Sequence, residues 1–282
     1  MPEINENSGA RPVATSFSET FALSRSALSM LMQFYLDKHK AGQGTPSDNE
    51  IRAATGLGPN HIKAHKQYAR GFCLCDEQFR PTKFALDLDN NDPEYNAIAT
   101  MWLFHYNIVK RTGAGPLFWR DLILNVVRKS ISTTKRSVAA GIESFHQTAG
   151  LKELSEATYD SAAGAFLGTY SAPDGLGQLK ILQKRGEEYS IGVPAPLMKD
   201  IFAFMLSEYW AANWGDTHSV ALNKITGDSG LAPLLLLNSG EASEIMDELH
   251  AAMLVRVERA VRPYTVFRLW DDETDLLGKI YE

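Results

Sequence analysis

Between Pro46 and Cys75 the chain reads PSDNEIRAATGLGPNHIKAHKQYARGFCLC, and this stretch constrains the fold more than any other. Ser47 or Asp48 can accept a bond from an unpaired first-turn amide and so start a short helix through Ile51, Ala53 and Ala54. Gly56 and Gly58 supply a turn, and Asn60 offers the next cap. From there Ile62, Ala69 and Phe72 recur at helical spacing, interrupted by His65, which can face either way. The remaining surface carries His61, Lys63, Lys66 and Arg70, with no acid before Asp76. Two short helices joined by a glycine turn, the second of them cationic, predict a helix-turn-helix whose second helix enters the major groove. Basic exposed faces also occur in plain helical bundles, so the pattern by itself leaves both readings open.

Composition limits how such a motif can work. The chain has 282 residues, enough for two or three small domains, and a formal net charge of -6, so it has no uniformly basic coat and affinity for DNA has to come from local patches. Cys73 and Cys75 are its 2 cysteines. One residue apart on a strand, they point the same way but lie too far apart for an easy bridge, which argues against a disulfide and a cysteine-built zinc site. No signal-peptide pattern opens the chain and no apolar run approaches the ~20 residues that span a bilayer, so a cytoplasmic location is expected.

Residues 1–15 are polar and unpatterned and are expected to form a flexible tail. Phe17-Ser18-Glu19-Thr20-Phe21 leads into a helix with Ala27, Met30, Leu31 and Phe34 at helical spacing. After the basic helix, Phe72 to Phe84, broken by Pro81, suits a small hairpin, so residues 16–92 are expected to form an N-terminal winged-helix DNA-binding domain. Asp87 to Glu94 is an acid-rich boundary. It departs from the EF-hand pattern, which wants Gly and Glu where this chain has Asp92 and Ile98; Asp92 followed by Pro93 looks like a helix cap instead.

The next helical stripe is Ile98, Met101, Trp102, His105 and Val109, where His105 is expected to be a hydrogen-bonded core residue, with proton transfer open to it. A helix through Phe118, Leu122 and Val126 follows, then Ser130 to Arg136, then a helix through Val138, Ile142 and Phe145. Thr133, Thr134, Lys135 and Arg136 at that helix start suit phosphate contact and equally suit ordinary capping. Leu179 to Leu182 and Tyr189 to Ile191 flank Lys184-Arg185-Gly186-Glu187 as a β-hairpin, giving a second helical, winged-helix-like domain over residues 93–193. Leu197, Ile201, Phe204 and Met205 open a further helical region with Trp210 and Trp214, and Leu234 to Leu237 is apolar enough to be buried. Ser239 can cap a helix through Ile245, Leu249 and Met253. Val255 to Trp270 then reads as two strands carrying Arg256, Arg259, Arg262 and Arg268, which makes residues 194–282 a C-terminal winged-helix-like domain. The fold class expected is mainly α with small β-hairpins (α+β), built from tandem winged-helix units, on element order alone.

No strong catalytic signature is present: there is no P-loop, no Gly-x-Ser-x-Gly elbow and no His-Glu-x-x-His. His61-Ile62-Lys63 matches the short core of one phosphodiesterase class, and Pro173-Asp174 with Gln178-Leu179-Lys180 is faintly like a restriction-type nuclease site whose spacing is too short. Asp271, Asp272, Glu273 and Asp275 are close enough in sequence to bind Mg²⁺ for in-line hydrolysis, but such a run is far more often a solvated acidic tail, which is the reading expected here. Glu19, between Phe17 and Phe21, fits a capping interaction at the following helix.

Phe17-Ser18-Glu19-Thr20-Phe21, Ala54-Thr55-Gly56-Leu57-Gly58 with its basic helix, Trp102-Leu103-Phe104-His105 and Ser132-x-x-Lys135-Arg136 follow one another along the chain. This succession resembles the SspB-like family, a bacterial family that accompanies DNA phosphorothioation genes, over about residues 17–192. Members often carry His before Glu-Thr-Phe where this chain has Ser18, so a role tied to that histidine does not carry over, and no catalytic residue is assigned. The resemblance implies a DNA-nicking component of a single-strand phosphorothioation system, in which sulfur replaces a non-bridging phosphate oxygen and marks self DNA for anti-phage defence. It implies as partners a cysteine desulfurase, an ATPase and a sulfur transferase related to PAPS reductases. The expected contacts to double-stranded DNA are Asn60, His61, Lys63, His65, Lys66, Arg70, Thr133, Thr134, Lys135 and Arg136. Mg²⁺ or Mn²⁺ is the ion expected of a nickase, and a homodimer is compatible with the sequence. A non-catalytic winged-helix adaptor that recruits the modification enzymes, and a transcription regulator with Trp210 and Trp214 lining an effector pocket, stay open as alternatives.

Overall fold

Side chains able to accept a bond from an unpaired first-turn amide set where the helices begin. In the computed structural model, which describes residues 17–18, 20–270 and 274–281, Ser24 caps α1 (Arg25–Lys40) and Ser47 caps α2 (Asp48–Thr55) in a reciprocal box with Glu50. Gly58 and Pro59 open α3 (Pro59–Gly71) without a side-chain cap, and Thr82 caps α4 (Lys83–Asn91). The Asp92 carboxylate reaches forward from the end of α4 to accept from the amides of Asn96 and Ala97, both at 2.9 Å, which fixes the turn leading into α5 (Ile98–Val109); α5 itself starts after Ala97 without a side-chain cap, so the helix start expected at Asp92-Pro93 is a turn instead. α6 (Leu117–Leu122) runs on into a π turn at Ile123–Val127.

β1 (Ser132–Thr134) comes next, its Thr134 capping α7 (Lys135–Thr148), and Ser155 caps α8 (Glu156–Ser171). The hairpin of β2 (Leu182–Arg185) and β3 (Glu188–Ile191) precedes α9 (Lys199–Trp214), β4 (Ser219–Ala221) and α10 (Asn223–Thr226). Asn238, one residue before the expected Ser239, caps α11 (Ser239–Ala251) in a second box with Glu241. β5 (Val255–Glu258), β6 (Thr265–Arg268) and α12 (Thr274–Gly278) complete the order.

The chain is thus mainly helical with two small antiparallel sheets. In the first, β1 joins the outer side of the hairpin to give the order β1-β3-β2, with Thr133 opposite Tyr189; in the second, β4 does the same in the order β4-β6-β5, with Val220 opposite Val266. Strands this short show no alternation in sequence, so β1 and β4 are defined by their partners alone. The hairpin expected over Phe72 to Phe84 is a single bridge, Cys75 to Pro81, followed at once by α4. Pro81 has no amide hydrogen with which to continue a ladder. α1 is also turned slightly from expectation: Leu28, Met32 and Tyr35 are buried with Ala27 and Leu31, while Met30 is 43% exposed. Among the described residues no helix is long and apolar enough to cross a membrane.

One continuous apolar core runs from Phe17 to Ile280, and α5 is buried from Ala99 to Val109 at its centre. His105 on that helix bridges the Tyr170 hydroxyl at 2.8 Å and the Leu234 carbonyl at 2.7 Å. A carbonyl only accepts, so Nε2 carries the proton and Tyr170 donates to Nδ1. The expected core histidine is therefore a neutral tie between α5, α8 and the 3-10 turn Ala232–Leu235, and burial pulls its pKa down to about 4.

The segment before α1 threads between α3 and α8. Tyr68 donates to the Phe21 carbonyl at 3.0 Å and the Leu23 amide donates to Thr169 Oγ1 at 2.9 Å. Two glycines make room: a Cβ on Gly71 would lie 2.8 Å from the Phe17 ring, and one on Gly168 would lie 2.7 Å from the Ala22 Cβ. The Ser24 amide donates to His65 Nε2 at 3.1 Å, which leaves the proton on Nδ1 to be donated to the His61 carbonyl at 2.9 Å. His65 is neutral too, its pKa lowered to about 4 chiefly by burial.

Arg25 closes this junction. Its guanidinium, 4% exposed as a residue, donates to the carbonyls of Gly175 (2.8 Å), Tyr95 (2.6 Å) and Pro173 (2.9 Å) and to Asn96 Oδ1 (2.7 Å). Desolvation lowers its pKa, against the opposing charges of Asp174 and Asp92. The Asp174 carboxylate in turn accepts from the Ser24 hydroxyl at 2.6 Å, the Ser26 hydroxyl at 2.8 Å and the Ser26 amide at 3.1 Å.

Truncating Arg25 leaves buried carbonyls without donors, so Arg25→Ala is expected to lower stability by about 3–5 kcal/mol, read as a shift of the urea midpoint. His65 and His105 give a second expectation. Their folded pKa values lie below the unfolded value, so the unfolded chain takes up protons first and stability falls between about pH 6.5 and pH 4. At about 1.4 kcal/mol per pKa unit each histidine accounts for roughly 3 kcal/mol. Equal unfolding midpoints at pH 7 and pH 4.5 would show that the pair is not held neutral.

Candidate nucleic-acid interface

The helix-turn-helix is held by its two isoleucines. Ile51 of α2 and Ile62 of α3 are fully buried, and Gly56 turns the chain between them at a φ of +72°, in the left-handed region that favours glycine. α3 packs on α1 and α2 through Ile62, Ala64, His65, Tyr68 and Ala69. Asn60 and Lys63 are exposed on the opposite side, and His61, Lys66 and Arg70 are partly exposed.

Two of these cations share one support. The Lys66 ammonium lies 4.5 Å above the Phe79 ring and the Arg70 guanidinium lies 5.4 Å above it. Phe79, at a φ of +58°, sits in a turn built around Asp76, whose carboxylate accepts from the amides of Gln78 (2.8 Å) and Arg80 (3.0 Å) and from Arg80 Nε (2.7 Å). Lys66 also pairs with Asp48 at 3.0 Å. An aromatic face attracts a cation while leaving its outer side open to a phosphate, so Phe79 directs Lys66 and Arg70 without neutralising them. Neither Phe79 nor Asp48 was among the expected site residues. The one sequence signal for the platform is the Asp76/Arg80 pair bracketing an aromatic residue.

His65 is turned inward, fully buried, with both ring nitrogens bonded, so it positions α3 rather than facing solvent. His61 stays at the surface, its ring 4.7 Å from those of Phe21 and His65. In the second expected group, Thr133 is buried and its hydroxyl has no hydrogen-bond partner among the described residues, and Thr134 accepts from the Ser137 amide at 3.1 Å as the α7 cap. Lys135 pairs with Asp160 at 3.5 Å, and Arg136 is exposed with no ion pair among the described residues. α7 packs on α6, α8 and β1 rather than on α3, so the structure keeps the two groups on separate elements.

Among the described residues no three His, Cys, Asp or Glu side chains are grouped so as to hold a metal ion. Glu19, Asp271, Asp272 and Glu273, and the side chain of Asp275, lie outside what the structure describes. Asp174 is bonded by Ser24 and Ser26, while Lys180 ends a 3-10 turn at a φ of +59°, so the nuclease-like spacing around them corresponds to a helix-capping contact.

Among the described residues, helices around a buried α5, a helix-turn-helix over α2 and α3 and two three-stranded sheets together define an α+β fold that occurs in solved structures. The fold is similar to a magnesium ion-bound SspB crystal structure, with a TM-score of 0.76 and 17% sequence identity over 94% of this chain and 87% of that one. A second SspB crystal structure gives a TM-score of 0.73 and 16% identity over 94% of this chain and 86% of the other. The chain belongs to the family DUF4007, described as "Protein of unknown function", which matches residues 19–262. No curated protein matches it by sequence.

Reversing charge on α3 tests the interface. Lys63→Glu with Lys66→Glu is expected to weaken binding to duplex DNA by more than about tenfold at 0.1 M salt and to reduce the salt slope by about two. Folding should persist, with roughly 0.5 kcal/mol lost where Glu at position 66 would face Asp48. Unchanged affinity would remove α3 from the interface.

Proposed function

We propose that this protein binds double-stranded DNA in a phosphorothioation system and nicks one strand so that sulfur can be inserted. The observation that carries this reading is the cationic face of α3, with Lys66 and Arg70 directed over Phe79, in a chain that shares the fold of SspB. Lys63, Lys66 and Arg70 neutralise successive phosphates, and the helix-turn-helix sets α3 along the groove.

The strand–helix–helix–hairpin order recurs as β1-α7-α8-β2-β3 and β4-α10-α11-β5-β6, and in both the first strand pairs with the last. This supports reading residues 93–193 and 194–282 as winged-helix units behind an N-terminal one at residues 16–92. A magnesium ion-bound SspB among the similar structures supports Mg²⁺ as the ion, which when bound would polarise the scissile phosphate. In this reading the protein acts in the cytoplasm beside a cysteine desulfurase, an ATPase and a sulfur transferase related to PAPS reductases.

The test is conversion of supercoiled plasmid to open circle by the purified chain with Mg²⁺ or Mn²⁺, with chelator, and with the Lys63/Lys66 charge-reversal variant. Nicking that needs metal and is lost in the variant is the expected result. Tight DNA binding with no nicking, even with the partner proteins added, would overturn the nickase and leave a recruiting adaptor.

A further inference from the structure

The sheet β4-β6-β5 has one buried and one outward side. Ser219, Phe267 and Arg256 lie side by side across its three strands, and Ala221, Thr265 and Glu258 form the row two residues on, so both rows point the same way. Val220 and Val266, in the row between, point the other way and are buried. Phe267 is thus an aromatic residue on the outward side, partly exposed among the small side chains of Ser219, Ala221 and Thr265. α11 covers the β5 edge, where His250 Nδ1 accepts from the Val257 amide at 3.1 Å. A ligand therefore reaches the face rather than that edge.

Arg256 is held over the Phe267 ring. Its guanidinium carbon lies 4.3 Å from the ring centroid, while its side chain stays 53% exposed. Glu258 pairs with it at 3.2 Å and cancels its charge, which makes the pair a poor phosphate clamp. A guanidinium plane backed by a ring, with no net charge, suits the face of a neutral planar group, and nucleobases stack on both kinds of plane. Charge for a backbone comes from the turn of the same hairpin. Arg259 and Arg268 are paired with Asp247 and Asp216, whereas Arg262 lies over the Tyr264 ring at 5.5 Å with no ion pair among the described residues. Tyr264 precedes Phe267 by three residues, about 10 Å along a strand.

We propose that the outward face of this sheet binds single-stranded DNA, stacking an unpaired base on Arg256 backed by Phe267 and holding the backbone with Arg262. The proposal rests on the role at DNA stated above, in which a nick frees a strand, and it uses no residue of α3.

The full-length chain is titrated with a short single strand carrying 2-aminopurine, whose fluorescence falls when the base stacks, and separately with a duplex. The wild type is expected to quench the probe. Phe267→Leu, which removes the ring and keeps an apolar side chain, is expected to weaken single-strand affinity about tenfold. Arg256→Lys keeps the charge and removes the plane, so it is expected to lose the quench, which a contact by charge alone would leave in place. Arg262→Gln is expected to lower the salt slope of single-strand binding by about 0.7. Absence of single-strand binding, binding without quenching, or equal quenching and affinity in the wild type, Phe267→Leu and Arg256→Lys overturns the proposal. Arg256 is exposed, so Arg256→Lys stays readable if Phe267→Leu fails to fold. The Lys63/Lys66 charge-reversal variant separates the two sites: unchanged duplex affinity in it counts against α3 alone, and a missing quench beside α3-dependent duplex binding counts against the sheet alone.

Discussion

A buried guanidinium is stable only where its donors are all answered, and Arg25 obtains its acceptors from two loops distant in sequence, at Tyr95–Asn96 and Pro173–Gly175. Those loops follow α4 and α8, so one side chain decides how α1, α5 and α8 converge. The consequence extends to the helix-turn-helix. Asp174, carried by the second loop, holds Ser24 and Ser26 at the start of α1, and the Ser24 amide bonds His65 on α3. The cationic face of α3 is therefore aimed by a chain of bonds that begins at Arg25.

The C-terminal part is joined to this junction by different chemistry. His105 links α5 to Tyr170 on α8 and to the Leu234 carbonyl, and Tyr281 meets Thr100 at 2.8 Å, whose hydroxyl donates to Asp92 at 2.6 Å. Asp92 also holds the turn that leads into α5 and acts on Arg25. A neutral histidine suits this position because it can donate to a carbonyl and accept from a phenol with no charge to desolvate. Each tie spans the core through α5, the helix with no solvent-facing side.

Local patterns were legible where one side chain answers a neighbouring amide or a face repeats at helical spacing. The turn at Gly56, the cationic side of α3, the β2–β3 and β5–β6 hairpins and the core role of His105 fall in that class. What the sequence did not disclose depends on residues far apart. The inward turn of His65 is set by Ser24 and Tyr68, the contacts of Asp174 lie about 150 positions away, and β1 and β4 exist only because a later hairpin accepts them. Thr133 shows the same limit: in a run of hydroxyls and bases it reads as surface, but β-pairing with Tyr189 turns it inward beside exposed neighbours. The Phe79 platform combines both, a local Asp76/Arg80 turn that gains meaning only under Lys66 and Arg70.

Charge separates the three helices that share the position after a turn. α3 presents Lys63, Lys66 and Arg70 outward. α8 is buried along most of its length, and its partly exposed Asp160 is paired with Lys135. α11 exposes Glu241, Glu244, Asp247 and Glu248, so its outer face repels a phosphate backbone. In a chain of net charge -6 this arrangement confines attraction to α3 and to cations on hairpins and turns, such as Lys184 and Arg185. Even there the supply is restricted, since Arg259 on the last hairpin is held by Asp247 and Arg256 lies over Phe267 beside Glu258. Similar topology thus does not give equivalent surfaces. The cationic side of α3 has no counterpart on α8 or α11.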